Sequence, residues 1–105
     1  TKNVFNLLIA YGSKYEIAKS IKDVIKKGIK TVPSIEKNLT KFLLITKPVD
    51  LVIRTGGEHR LSNFLLYQAA YSEIYFSDTL WPDFSKKEFD RIMKWYKKRE
   101  KRMGR

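Results

Sequence analysis

Nine consecutive residues in the middle of the chain carry the side chains that hold an anion: Arg54-Thr55-Gly56-Gly57-Glu58-His59-Arg60-Leu61-Ser62. Two arginines supply planar forks that each grip two oxygens. The serine adds a hydroxyl, and the paired glycines expose backbone amides that a ligand can approach. Those are the groups that bind a phosphate or diphosphate. A lone loop arginine is more often an ordinary surface charge, but two that bracket Gly-Gly-Glu-His favour anion binding. Glu58, set between arginines, reads as a salt-bridge partner that orients them. His59 is the single histidine of the chain, and a lone histidine is usually structural or solvated. A diphosphate would bring Mg2+ as its counter-ion, held by one or two carboxylates and by the phosphates themselves. Glu73, immediately ahead of a short apolar run, could deliver such a carboxylate.

The flanking sequence predicts the elements that position this loop. Asp50-Leu51-Val52-Ile53-Arg54 is a buried-strand pattern ending in the Thr55-Gly56-Gly57 turn, so the loop lies at the carboxyl end of a strand, where open α/β sheets bind ligands. Val4 to Ala10 is a similar apolar run closed by Gly12, and it predicts another strand buried on both faces. Ser13 with Glu16 has capping-box spacing. Ile17, Ile21, Val24 and Ile25 then recur at helical intervals until Gly28. Pro33-Ser34 opens a second amphipathic helix carrying Ile35, Leu39, Phe42 and Leu43, which Pro48 ends. Ser62 to Tyr71 reads as a helix, Ile74 to Phe76 as a short strand, and Trp81 to Phe84 as a tight corner. Ser85 caps a last helix with Phe89, Ile92, Met93 and Tyr96 on one side. Strand–helix alternation of this kind predicts an α/β fold, a mostly parallel sheet flanked by helices.

The whole chain has 105 residues, enough for one domain or part of one. It contains no cysteine, which excludes a disulfide framework, a thiolate metal site and a cysteine nucleophile. Its 13% aromatic content is too high for a disordered polybasic tail. No apolar run approaches the ~18 residues of a membrane span, and no signal-peptide architecture opens the chain. The net charge of +11 is uneven: residues 1–30 carry +5, residues 31–83 carry −1 and residues 84–105 carry +7. Such basic clusters either attract polyanions or form solvated lysine-rich helix faces.

The run from Asp50 to Phe84, DLVIRTGGEHRLSNFLLYQAAYSEIYFSDTLWPDF, resembles the signature region of the cis-prenyltransferases, the undecaprenyl diphosphate synthase family, over 35 residues. Asn6 to Ile17, NLLIAYGSKYEI, is similar to an earlier family block of the form N-x-x-x-N-Y-G-G-R-x-E-I. It departs at Ala10, Ser13 and Lys14, which stand where the family has Asn, Gly and Arg. Tyr67 stands where Trp is common, an exchange of one core aromatic for another. Arg102-Met103-Gly104 is similar to the family's closing Arg-x-Gly motif. The family's amino-terminal block, with its Mg2+-binding Asp, Gly-Asn-Gly-Arg loop and most of the hydrophobic tunnel, has no counterpart here. Residues 1–105 therefore read as the carboxyl-terminal part of a single cis-prenyltransferase domain.

The resemblance implies condensation of isopentenyl diphosphate with an allylic diphosphate, forming a cis double bond and releasing pyrophosphate, with Mg2+ as cofactor. It implies that Arg54, Arg60 and Ser62 bind the diphosphate of isopentenyl diphosphate, that Glu58 helps order the loop, and that Glu58 and His59 take the catalytic positions. Glu73 would be the metal ligand. Gly104 would reach the isopentenyl diphosphate site of a partner subunit, making a homodimer. The implied enzyme is cytoplasmic and meets a membrane only peripherally, through its product, with no nucleic acid involved. Two rival readings differ in class. A non-catalytic subunit of a heterodimeric prenyltransferase would be expected to lose the diphosphate loop, which is present. A basic nucleic-acid-binding module finds support only in the +7 terminal helix with Trp95 and Tyr96 interleaved.

Overall fold

A computed structural model describes residues 3–99. Among them are three helices, α1 (Ser13–Lys26), α2 (Val32–Phe42) and α3 (Lys86–Lys97), and two strands, β1 (Leu51–Arg54) and β2 (Glu73–Phe76). A 3-10 turn at Trp81–Asp83 forms the expected corner. The strands pair in parallel, Leu51 opposite Glu73 and Arg54 opposite Phe76. The small core consists of Val24, Leu39, Leu43, Leu65, Ala69 and Ile92. No described helix is long and apolar enough to cross a membrane.

Each end of α3 follows from its sequence. The Ser85 hydroxyl accepts the Glu88 N–H at 3.1 Å, and Lys94 and Lys97 lie in the last turn, where the helix dipole favours cations. Ile92 is wholly buried at the centre of its apolar face. Helix α2 starts with Pro33 in its first turn, where a missing N–H costs nothing, and packs against α1.

Three expectations change. The run Val4 to Ala10 forms no strand, and Phe5 is 86% exposed. A strand buried on both faces needs neighbours on both edges, and no described segment pairs with this one. The stretch Ser62 to Tyr71 is a chain of turns instead of a helix. Ser62, Asn63 and Leu65 have φ of 51°, 65° and 47°, which a right-handed helix cannot contain. The inward stripe of α1 is also not the aliphatic one. Ser13, Glu16, Ser20 and Val24 are buried, whereas Ile21 and Ile25 are exposed.

That inversion comes from the Ser13…Glu16 pair. Gly12 occupies the N-cap position, and Ser13 and Glu16 turn into the protein instead of closing a capping box. The Ser13 hydroxyl accepts the Leu66 N–H at 2.9 Å. Asn63 caps α1 from a distance: its carbonyl accepts the Ser13 N–H and its side-chain oxygen the Lys14 N–H, both at 2.8 Å. A Cβ at Gly12 would lie 2.8 Å from the Asn63 amide nitrogen, so any larger residue would have to displace the capping side chain. Helix α1 thus pins the chain immediately after Ser62.

Candidate functional site

The loop after β1 closes around the Arg54 side chain. Arg54 ends the strand, and its Nη1 donates to the Arg60 carbonyl at 2.5 Å and to the Ser62 hydroxyl at 2.8 Å. The Arg60 guanidinium pairs with the Glu58 carboxylate. Arg54, Glu58, Arg60 and Ser62 therefore form one connected cluster at the carboxyl end of β1. Both arginines are held in place before any ligand arrives, which lowers the ordering cost of binding.

The Gly-Gly turn works differently from the sequence expectation. Its two amides are not available to a ligand: the Gly56 N–H donates to the Thr79 carbonyl at 2.9 Å and the Gly57 N–H to the Ser77 carbonyl at 3.0 Å. With φ of 96° and 81°, both positions favour glycine. The glycines join the loop to the segment after β2.

His59 lies over the end of the second strand. Its ring stacks on Phe76 with centroids 4.9 Å apart and planes 4° from parallel. Phe76 is the register partner of Arg54, so the imidazole shares the strand end with the arginine cluster. Its Nε2 lies 3.9 Å from an Asp78 carboxylate oxygen.

Glu73 is not part of this cluster. It starts β2, three residues from Phe76, so roughly 10 Å of strand separates it from the arginine end. Its Oε1 accepts from the Arg99 Nε at 2.8 Å. The Arg99 guanidinium lies 5.3 Å from the centre of the Trp95 ring, and Trp95 meets Tyr75 edge-on at 5.1 Å. No group of three or more His, Asp or Glu side chains suited to a metal occurs among the described residues. Gly104 lies outside the described residues.

Sequence reasoning missed the supports beneath the loop: Asn63 on one side, and Ser77, Thr79 and Glu88 on the other. Glu88 carried a signal, three residues after the Ser85 cap. Ser77 and Asn63 carried none, because their partners are distant in sequence.

A family model described as "Putative undecaprenyl diphosphate synthase" matches residues 1–104. A ditrans,polycis-undecaprenyl-diphosphate synthase of Buchnera aphidicola subsp. Baizongia pistaciae, named as (2E,6E)-farnesyl-diphosphate specific, is 45% identical over 108 residues, covering 97% of this chain and 43% of that protein. A tritrans,polycis-undecaprenyl-diphosphate synthase of Pyrococcus abyssi, named as geranylgeranyl-diphosphate specific, is 46% identical over 108 residues, covering 97% and 41%. Among solved structures, a probable undecaprenyl diphosphate synthase from Campylobacter jejuni superposes with a TM-score of 0.83 at 46% identity, over 92% of this chain and 45% of that one. Lavandulyl diphosphate synthase from Lavandula x intermedia, solved with dimethylallyl diphosphate, gives 0.69 at 32% identity, over 92% and 44%. The chain spans less than half the length of each of these relatives.

Proposed function

Because the chain belongs to the undecaprenyl diphosphate synthase family of cis-prenyltransferases, we propose that it supplies the isopentenyl diphosphate-binding part of an enzyme that adds isopentenyl diphosphate to an allylic diphosphate. The observation that carries this reading is the single cluster of Arg54, Arg60 and Ser62 at the carboxyl end of β1. Arg54 and Arg60 neutralise the diphosphate, Ser62 hydrogen-bonds it, and Glu58 holds the Arg60 fork at a fixed angle. His59, flat against Phe76, borders the reacting end of the bound substrate. Catalysis then rests on holding two diphosphates in register and stabilising the pyrophosphate that leaves.

Mg2+ is the counter-ion that this chemistry calls for, held chiefly by phosphate oxygens. Glu73 joins such a centre only where another copy or another part of the enzyme brings a diphosphate to its end of the sheet. A homodimer, with Gly104 entering the partner's site, and a peripheral membrane contact through the product belong to the same reading. The assembled diphosphate loop is what a non-catalytic subunit would be expected to lack. Trp95, which a nucleic-acid module would use for stacking on a base, is already engaged by Arg99 and Tyr75. The test is incorporation of radiolabelled isopentenyl diphosphate by the enzyme carrying this chain, with Mg2+ and an allylic primer. Labelled polyprenyl product that falls with Arg54→Ala at limiting isopentenyl diphosphate is expected, and product formation indifferent to Arg54 would remove the loop from the reaction.

A further inference from the structure

The glutamate three residues into α3 does not do what its position predicts. In a reciprocal capping box, the carboxylate at this position turns back to the N–H of the cap residue. Ser85 accepts the Glu88 N–H, but the Glu88 Oε2 instead accepts the Ser77 hydroxyl proton at 2.5 Å. The Ser77 hydroxyl, with Thr79 and Arg91 nearby, holds the Glu88 carboxyl below the usual glutamate range, so it remains an acceptor at neutral pH. The diversion ties the first turn of α3 to the segment after β2.

Ser77 is 3% exposed and bonds directly to both ends of the turn after β1, at Arg54 and Gly57. Its N–H donates to the Arg54 carbonyl at 2.8 Å, and its carbonyl accepts the Gly57 N–H at 3.0 Å. Its hydroxyl accepts the Thr79 N–H at 3.2 Å, and the Thr79 carbonyl accepts the Gly56 N–H at 2.9 Å. Through these bonds the backbone on both sides of Thr55 hangs from one buried serine. That serine is oriented in turn by the first turn of α3.

We propose that Ser77 and Glu88 are positioning residues for isopentenyl diphosphate: the Glu88 carboxylate fixes Ser77, and Ser77 sets the direction from which Arg54 presents its guanidinium to the diphosphate. The inference rests on the reading of the Arg54 loop as the diphosphate site. Its sign is distinctive. Removing an acid near an anion site should tighten binding if Glu88 acted through charge, whereas positioning requires binding to weaken.

The test is steady-state kinetics of the whole enzyme carrying Ser77→Ala, Glu88→Ala, the double variant, Glu88→Gln and Arg54→Ala. Ser77→Ala and Glu88→Ala should each raise the KM for isopentenyl diphosphate about three- to tenfold, as loss of an orienting hydrogen bond does. The KM for the allylic diphosphate should stay unchanged. The double variant should be no worse than the weaker single, because both residues act through one bond. Glu88→Gln keeps an acceptor for the Ser77 hydroxyl and should recover most of the loss. A KM for isopentenyl diphosphate that rises with Arg54→Ala but not with Ser77→Ala or Glu88→Ala overturns the positioning role alone. Parallel rises in both KM values also overturn it, showing a general structural effect. An unchanged KM in Arg54→Ala removes the diphosphate reading, and this inference with it.

Discussion

The Glu16 carboxylate accepts the Leu44 backbone N–H at 2.7 Å, tying the first turn of α1 to the segment after α2 across 28 residues of sequence. The same side chain accepts from the Ile45 N–H at 3.1 Å, from the Gln68 amide and from the Tyr11 hydroxyl. Burial pushes its carboxyl up, but the bonds from Tyr11, Ile45, Gln68 and Leu44 together hold it below the ordinary glutamate value. Glu16→Ala leaves several buried donors without an acceptor and should cost about 2–4 kcal/mol of stability. Because the folded pKa is depressed, the Glu16 contribution is complete above the unfolded glutamate pKa and is lost as the pH falls through the folded value. Urea unfolding between pH 7 and pH 3 should show the gap between the wild-type chain and Glu16→Gln narrowing towards the acid end.

Arg54→Ala removes a guanidinium that also holds Ser62 and the Arg60 carbonyl. It should weaken isopentenyl diphosphate binding by about 1.5–3 kcal/mol, the range for a charge-assisted contact. Arg54→Lys should recover little, because an ammonium cannot reproduce the two-pronged geometry. The KM for isopentenyl diphosphate reports both outcomes, and a full recovery by lysine would show that charge alone suffices.

Glu73 and Arg99 separate a metal role from a packing role. Glu73→Gln should lower activity and raise the Mg2+ concentration needed for half-maximal rate. Arg99→Gln breaks the same ion pair while keeping the carboxylate, so its Mg2+ requirement should match wild type. Mg2+ titrations that move together in the two variants would assign Glu73 to the ion pair only.

The 105-residue chain made alone should bind pyrophosphate weakly and elongate no prenyl chain, since positioning two diphosphates needs both halves of a site. Val4, Phe5, Leu7 and Ile9 are each more than 70% exposed, an apolar surface that promotes association. Phe5→Ser with Ile9→Ser should raise the fraction that remains monomeric in size-exclusion chromatography. An unchanged elution profile would place the association elsewhere.

Elements whose partners are near in sequence were legible. The Ser85 cap and the apolar spacing of Phe89, Ile92, Met93 and Tyr96 specified α3, and the buried-strand pattern specified β1. The arginine cluster was legible too, because Arg54 meets residues only six and eight positions away. Where the deciding partner was distant, local patterns misled. Ser13 and Glu16 have capping-box spacing, yet Leu66, Leu44 and Gln68 claim their side chains. Ile21 and Ile25 marked an apolar face of α1, but the polar face carried the tertiary bonds and turned inward. Ser62 to Tyr71 had helix-forming residues, and the backbone that Asn63 needs to cap α1 overrode them.

Ser62 accepts the Arg54 guanidinium from a backbone at φ 51°, a region where a residue with a side chain sits at a cost of about 1–3 kcal/mol. That makes it an inviting target for anyone engineering a hardier enzyme, because glycine adopts the same conformation freely. Ser62→Gly should raise the melting temperature and, by deleting the hydroxyl, loosen Arg54, the arginine proposed to hold the diphosphate. Selection for heat resistance alone would therefore reward a variant that binds its substrate less well, so a directed-evolution screen at this position has to score turnover alongside survival.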